Sequence, residues 1–267
     1  MEKNKLLKSI YKKAYYNTFK SVKTNSSYPI CIIVCGQPGA GKTRLVQYTM
    51  KQLHNANHNA IILDMDAYRN LIYKVFGQSN LTIDDIEVKE ISKTIMENFS
   101  KIAMIKKCNI VVETTLEKPY TLYLAQKHNY HIFLRLISVS RIESLLSIFE
   151  RYINNNSKYK FLTSIENHDR KYNKIINRIN RLANKGFHIE IYERGNKFSN
   201  PKKLNIDNNK IIYFILHSRF NSFNKCFPSL KQRLENINCY FKNNQNESKD
   251  KFEELYKLNQ IIYKIIN

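Results

Sequence analysis

The chain has 267 residues, 43% of them hydrophobic, enough for one large α/β domain, or one domain with a modest appendage, and too many for wholesale disorder. Its apolar runs, such as Pro29–Cys35 and Ile110–Val112, fall far short of the ~20 residues a membrane span needs, and the basic start Met1–Lys5 leads into no apolar signal segment, so neither membrane nor signal peptide is expected. The formal net charge of +22 admits an acidic partner or a composition biased toward Lys, Asn, Ile and Tyr, and the scatter of lysines over the whole chain favours the bias.

In chain order, residues 3–20 carry Leu6, Leu7, Ile10, Tyr11, Ala14, Tyr15 and Phe19 at helical spacing. Ser26–Pro29 breaks that helix. Ile30–Cys35 is a continuous apolar run ending at a glycine, as a buried parallel strand does. A helix is expected over Thr43–His54, a second strand over Ala60–Asp64, and one or two helices within Ile83–Lys106. A third strand, Asn109–Glu113, precedes a helix over Thr121–Asn129, and a fourth, His131–Val139, precedes a helix from Glu143 to Tyr152. The last clear strand is His188–Tyr192. This alternation predicts a P-loop NTPase-type α/β fold, a parallel sheet flanked by helices. Residues 153–160 form a polar, Asn-rich loop. Past about 205 the alternation fades, so 1–204 reads as the main domain and 205–267 as a charged, helical C-terminal extension, softened at Lys242–Lys249.

The five cysteines, Cys31, Cys35, Cys108, Cys226 and Cys239, are odd in number and match no metal spacing. Cys31 and Cys35 are expected to act as small hydrophobes on the first strand. A reducing, cytoplasmic setting fits this usage.

Gly36-Gln37-Pro38-Gly39-Ala40-Gly41-Lys42-Thr43 matches G-x-x-x-x-G-K-[ST]. Such a loop wraps phosphate with backbone N–H groups, so bulky side chains are excluded from the approach. Lys42 supplies a mobile positive charge, Thr43 a hydroxyl for Mg²⁺, and the following helix the positive end of its dipole. Arg44 joins the expected nucleotide contacts. Three of the chain's six glycines sit within the six residues Gly36–Gly41, and a buried strand precedes them, which argues against a chance match.

Asp64 and Asp66 follow the second strand, whose carboxyl end faces the ligand crevice in open α/β sheets. Either could orient a substrate hydroxyl or cap the next helix; the residues favour the functional role for Asp66 and the cap for Asp64. Glu113 ends the third strand, where it can serve a metal or substrate or bond to a loop. Glu97, in mid-helix, reads alone as solvated. Arg151 ends a helix just before the polar loop, where a charge that closes on a moving phosphoryl group belongs. Lys158, Lys160 and Arg170 flank the same loop.

The ordered set of motifs resembles the zeta toxins, the kinase halves of bacterial toxin–antitoxin pairs, over roughly residues 5–200. The resemblance rests on Gly36–Thr43, on Leu63-Asp64-Met65-Asp66-Ala67-Tyr68-Arg69, on Asn109–Thr115, on Glu150-Arg151-Tyr152, on His168-Asp169 and on Ile191–Arg194. It implies ATP- and Mg²⁺-dependent phosphorylation of UDP-N-acetylglucosamine or a related UDP-amino sugar. It also implies a small acidic antitoxin as partner. Carried over by position, Lys42 holds phosphates and Thr43 the metal, Asp66 is the base, Glu97, Glu113 and Thr115 contact the sugar, and Arg151 stabilises the transferring group. Some positions depart from the family pattern: Phe161 replaces a second lid arginine, Thr114 a glycine and Glu117 an arginine, and the His-Pro after the base helix gives way to Asn70-Leu71-Ile72. Two other readings stand beside this one. The first is a P-loop kinase acting on a nucleoside, an antibiotic or a polynucleotide end. The second is an ATP-binding partner protein without catalysis.

Overall fold

The computed structural model describes residues 2–20, 27–79, 81–117, 120–155, 162–195, 199–205 and 210–266. The strands are β1 (Ile30–Cys35), β2 (Ala60–Asp64), β3 (Asn109–Thr114), β4 (His131–Ile137), β5 (His188–Glu193) and β6 (Lys202–Lys203). They form a six-stranded sheet in the order β2-β3-β1-β4-β5-β6. β2 and β3 run parallel, and the short β6 pairs antiparallel with β5. The fold class is therefore as the alternation predicts. The apolar character of β1 and β3 matches their burial, and Cys31 and Cys35 are fully enclosed. That burial pushes both thiols up to about 12, which leaves them inert. All five cysteines are free.

The chain divides into two compact units, and the division passes through β1 and β4. The first unit spans Met1–Val34 and Leu45–Leu134. It holds α1 (Glu2–Phe19), most of α2 (Lys42–Asn55), α3 (Met65–Gly77), α4 (Asp85–Ile105) and α5 (Tyr120–Lys127). Its helices converge on Phe99 of α4, which is fully buried. Tyr11, Tyr15 and Phe19 of α1 and Tyr68 of α3 each set a ring edge-on to Phe99, with centroids 5.2 to 5.9 Å apart. Asn109 closes the amino end of the sheet: its Oδ1 accepts from the Ile30 N–H at 3.0 Å and its Nδ2 donates to the Asn59 carbonyl at 3.0 Å.

The second unit spans Cys35–Arg44 and Arg135–Asn267. It holds the glycine loop, α6 (Arg141–Ile153), α7 (Ile165–Asn184), β5, β6, α8 (Ile211–Cys226), α9 (Leu230–Asn243) and α10 (Lys249–Ile266). Sequence reading passed over α7. Its signals were nonetheless present: Ser164 caps it by accepting from Asn167 N–H, and Ile165, His168, Ile175, Ile179 and Leu182 line its buried face. The three C-terminal helices pack an aromatic and aliphatic cluster against α6, in which Phe149 and Tyr152 meet Leu230, Phe241 and Leu258. Among the described residues no helix is long and apolar enough to cross a membrane.

Candidate active site

In the first unit, the register of β2 and β3 sets Asp64 beside Glu113 at the carboxyl ends of both strands. Asp64 caps α3: its backbone is extended, and its Oδ1 accepts from the Asp66 N–H at 2.9 Å. The cap is thus Asp64, as the residues favoured, and this frees Asp66 from that task. Asp66 lies in the first turn, with its side chain 64% exposed and one oxygen held by Arg69 Nη1 at 2.9 Å. Two residues on, Tyr68 is buried against Phe99 and shares a 3.2 Å hydrogen bond with Thr18. The same ring holds α4, where Glu97 stands two residues before Phe99 and faces Lys93 at 3.8 Å. Glu113 and Thr115 are half-buried where β3 ends. Thr114 occupies the place of the family's glycine; its Oγ1 accepts from the Leu116 N–H at 3.0 Å and shapes the turn there.

In the second unit the glycines of the loop are required by geometry. Gly39 and Gly41 have φ of +76° and +96°. A Cβ on Gly36 would stand 2.5 Å from the Ile137 carbonyl oxygen, and one on Gly39 would stand 2.1 Å from that of Ser144. Gln37 is fully buried and anchors the loop by donating Nε2 to the Val139 carbonyl at 2.8 Å. The Ala40 N–H and Lys42 Nζ both reach the Gln37 carbonyl, each at 3.2 Å. Pro38 and Ala40 are buried, and Thr43 is exposed in the first turn of α2, with Arg44 half-buried beside it. The nucleotide-loop residues expected from sequence are therefore brought together as a strand–loop–helix.

Arg151 lies in the last turn of α6 and is exposed. Its neighbours fix that helix: Glu150 is gripped by Arg233 of α9, and Tyr152 is buried, with its hydroxyl donating to Glu247. Lys158, Lys160 and Phe161 lie outside the described residues. Arg170 is exposed, and its Nη2 donates to Asn167 at 2.9 Å. His168 and Asp169 join α7 to α6: His168 sits between Ser144 Oγ at 2.8 Å and Asp169 Oδ1 at 2.9 Å, and Arg141 forks onto Asp169 at 2.8 and 2.7 Å.

The sequence assigns no role to Glu143, Arg194 or Arg233, although Ile191–Arg194 is one of the motifs that carry the family resemblance. Arg194, just after β5, donates to the Gly39 carbonyl, to Glu143 and to Ser147. Its sequence signals were that motif and its place after a strand of the parallel sheet, where ligand-facing residues collect.

The family model described as Zeta toxin matches residues 13–201. Toxin PezT of Streptococcus pneumoniae serotype 4 is 27% identical over 184 residues, covering 64% of this chain and 71% of that protein. A chain solved in the structural characterisation of the PezAT chromosomal toxin–antitoxin system of Streptococcus pneumoniae is similar with a TM-score of 0.65 and 21% identity, over 87% of this chain and 96% of that one. A chain of the AvrRxo1-ORF1:ORF2 structure with ATP is similar with a TM-score of 0.59 and 14% identity, over 80% of this chain and 72% of that one. At these identities the two solved structures speak for the fold. The family match runs through most of the chain and takes in the glycine loop, the two strand-end carboxylates and Arg194, and on that ground the chain belongs to the zeta toxin family, a group of kinase-like phosphotransferases.

Proposed function

We propose that this protein transfers the γ-phosphate of ATP to a sugar hydroxyl of UDP-N-acetylglucosamine or a related UDP-amino sugar. The observation that carries the reading is the loop itself. Two glycines in the left-handed region and a third with no room for a side chain build a cradle of N–H groups at the start of a helix, with Lys42 folded over it. The family's activity, and the ATP in one relative's structure, support the choice of nucleotide.

In the proposed reaction Asp66 accepts the proton of the acceptor hydroxyl, whose oxygen bonds to the γ-phosphorus as ADP leaves. Its exposure leaves one carboxylate oxygen for that work while Arg69 holds the other. A positioned base contributes ~10²–10⁴-fold in rate. Lys42 and Arg151 stabilise charge on the phosphoryl oxygens. Glu97, Glu113 and Thr115 are the proposed sugar contacts. The hydroxyl of Thr43 stands in the first turn of α2, where it would hold a Mg²⁺ bound with the nucleotide. That ion would neutralise charge between the β- and γ-phosphates. The net charge of +22 suits a small acidic antitoxin as partner, in line with the toxin–antitoxin system of the similar pneumococcal chain.

The test is direct. Purified protein is incubated with Mg-ATP and UDP-N-acetylglucosamine beside an Asp66→Ala variant, and the nucleotide sugar is weighed by mass spectrometry. A product heavier by one phosphate in the wild type alone is the expected result. Absence of product while ATP still binds would refute the acceptor, and equal product from Asp66→Ala would refute the base.

A further inference from the structure

We propose that Arg194 is a positioning residue of the phosphate loop, held at its post by Arg233 of α9 through Glu143. The proposal rests on the reading of the loop as the ATP site. Arg194 Nη1 reaches the Gly39 carbonyl at 3.3 Å, Glu143 Oε1 at 2.9 Å and Ser147 Oγ at 2.7 Å. A guanidinium nitrogen has two hydrogens, so three acceptors share them, and the Gly39 bond is the longest. The aliphatic stem runs past Gly41: its Cγ, Cδ and Nε are 3.5 to 3.7 Å from where a Cβ there would stand. Arg194 thus lies along the loop from Gly39 to Gly41, the two residues with positive φ.

A cradle of N–H groups needs its carbonyls fixed. The Gly39–Ala40 peptide is pinned at both ends, its carbonyl by Arg194 and its N–H by the Gln37 carbonyl. Glycine costs little to reorient, so an external donor is what keeps that peptide in one orientation. Glu143 aims the donor. One of its oxygens takes Arg194 and the other takes Arg233. Arg233 in turn grips both oxygens of Glu150, at 2.6 and 2.7 Å. Glu143, Ser147 and Glu150 lie on one face of α6 at spacings of four and three residues. The result is an alternating series of charges, Arg194–Glu143–Arg233–Glu150, that runs from a C-terminal helix to the loop. Burial by itself would lower the Arg233 pKa, but its bonds and charge interactions with Glu150 and Glu143 raise it above the usual arginine value, so the guanidinium stays charged. A lysine at 233 lacks the fork needed to serve both carboxylates.

The experiment measures MgATP affinity by calorimetry, KM for ATP and for the acceptor, and thermal unfolding. The variants are Arg194→Ala, Arg194→Lys and Arg233→Lys, with Lys42→Ala as control. Arg194→Ala and Arg233→Lys should each weaken ATP by about tenfold and leave the acceptor KM unchanged, with partial recovery in Arg194→Lys. Arg233→Lys keeps a cation in the buried pair and gives the same readout should Arg194→Ala fail to fold. Folded variants that unfold at lower temperature yet bind ATP within about twofold of wild type would overturn the relay alone. A wild type that binds no ATP would overturn the reading of the loop, and the relay with it.

Discussion

Gly39 and Gly186 share nearly the same φ, +76° and +81°, yet they stand in opposite surroundings. A Cβ on Gly186, just past the end of α7, meets nothing within 4 Å, whereas one on Gly39 overlaps the Ser144 carbonyl. Gly186→Ala should therefore cost only the left-handed conformation, about 1 kcal/mol. Gly39→Ala adds overlap with backbone that cannot swing aside, so roughly 2–4 kcal/mol is expected, together with loss of nucleotide affinity. Urea unfolding of the two variants side by side separates strain from overlap; equal losses would contradict the account. The need for glycine at 36 and 41 was legible in the sequence because the phosphate-loop motif fixes it, whereas Gly39 falls on an open position of that motif. The atoms that crowd Gly36 and Gly39 were not legible there. Ile137 and Ser144 lie about a hundred residues away in the chain, and no local spacing announces them. Asp64 and Asp66 were legible as a pair, and the extended backbone of Asp64 shows which of the two caps α3.

The joint between α6 and α7 shows the same boundary between local and distant information. Period and capping are local, so β1 to β5 and most helices fell where patterning put them, while the two-residue β6 is too short to show a period; α7 carries its cap and apolar stripe too, but its Asn, Lys and Arg content masks them. The His168 ring that makes the joint works through Ser144, twenty-four residues away. Burial lowers the His168 pKa from its ordinary 6.5; the bond and charge of Asp169 raise it, the positive charges of Arg141 and Arg219 lower it further, and Tyr172 stacks on the ring. In the neutral form Nδ1–H donates to Asp169 and Nε2 accepts from the Ser144 hydroxyl. Asp169 remains ionised below its ordinary 3.8: burial would raise it, but hydrogen bonds from Arg141 and His168 prevail. The unfolded chain takes up a proton near 6.5 that the folded His168 refuses. Stability from this joint is thus complete above about pH 6.5 and declines as the pH falls through the lowered folded value. Urea unfolding at pH 7.5 and 5.5 should show the loss, and His168→Gln should remove that part of it. A His168 that carries the proton in the fold would give the opposite slope.

At the scale of the whole molecule, residues 205–267 fall in the same compact unit as the phosphate loop. The sequence marked them as helical and charged, since helical period survives in any composition. It did not say what their apolar faces cover, because helix periodicity names a face and not its partner. That partner is α6, the helix that also carries Glu143, Glu150 and Arg151. Phe241 stacks on Tyr152 with centroids 6.1 Å apart and lies 6.4 Å from Phe149, and Ile237, Leu258 and Ile262 close the cluster without solvent exposure. Elsewhere in the unit, Ser218 of α8 donates to the Ser138 carbonyl at 2.8 Å, and Arg219 donates to Ser138 Oγ at 3.1 Å and lies over the Tyr172 ring at 3.7 Å. Ser138 stands between Ile137, whose carbonyl crowds Gly36, and Val139, whose carbonyl holds Gln37. Removal of residues 206–267 therefore uncovers the apolar face of α6 and unties the segment on which the loop rests. The shortened chain should be poorly soluble or loosely packed, bind a hydrophobic dye, and fail to bind Mg-ATP. Phe241→Ala is the milder counterpart: it should cost ~3–5 kcal/mol in urea unfolding and, in the fraction that stays folded, leave nucleotide affinity intact, because Arg233 and Glu143 remain in place. A shortened chain that folds and binds Mg-ATP like the full one would show the C-terminal helices to be dispensable to the loop, and would tell equally against the relay through Arg233.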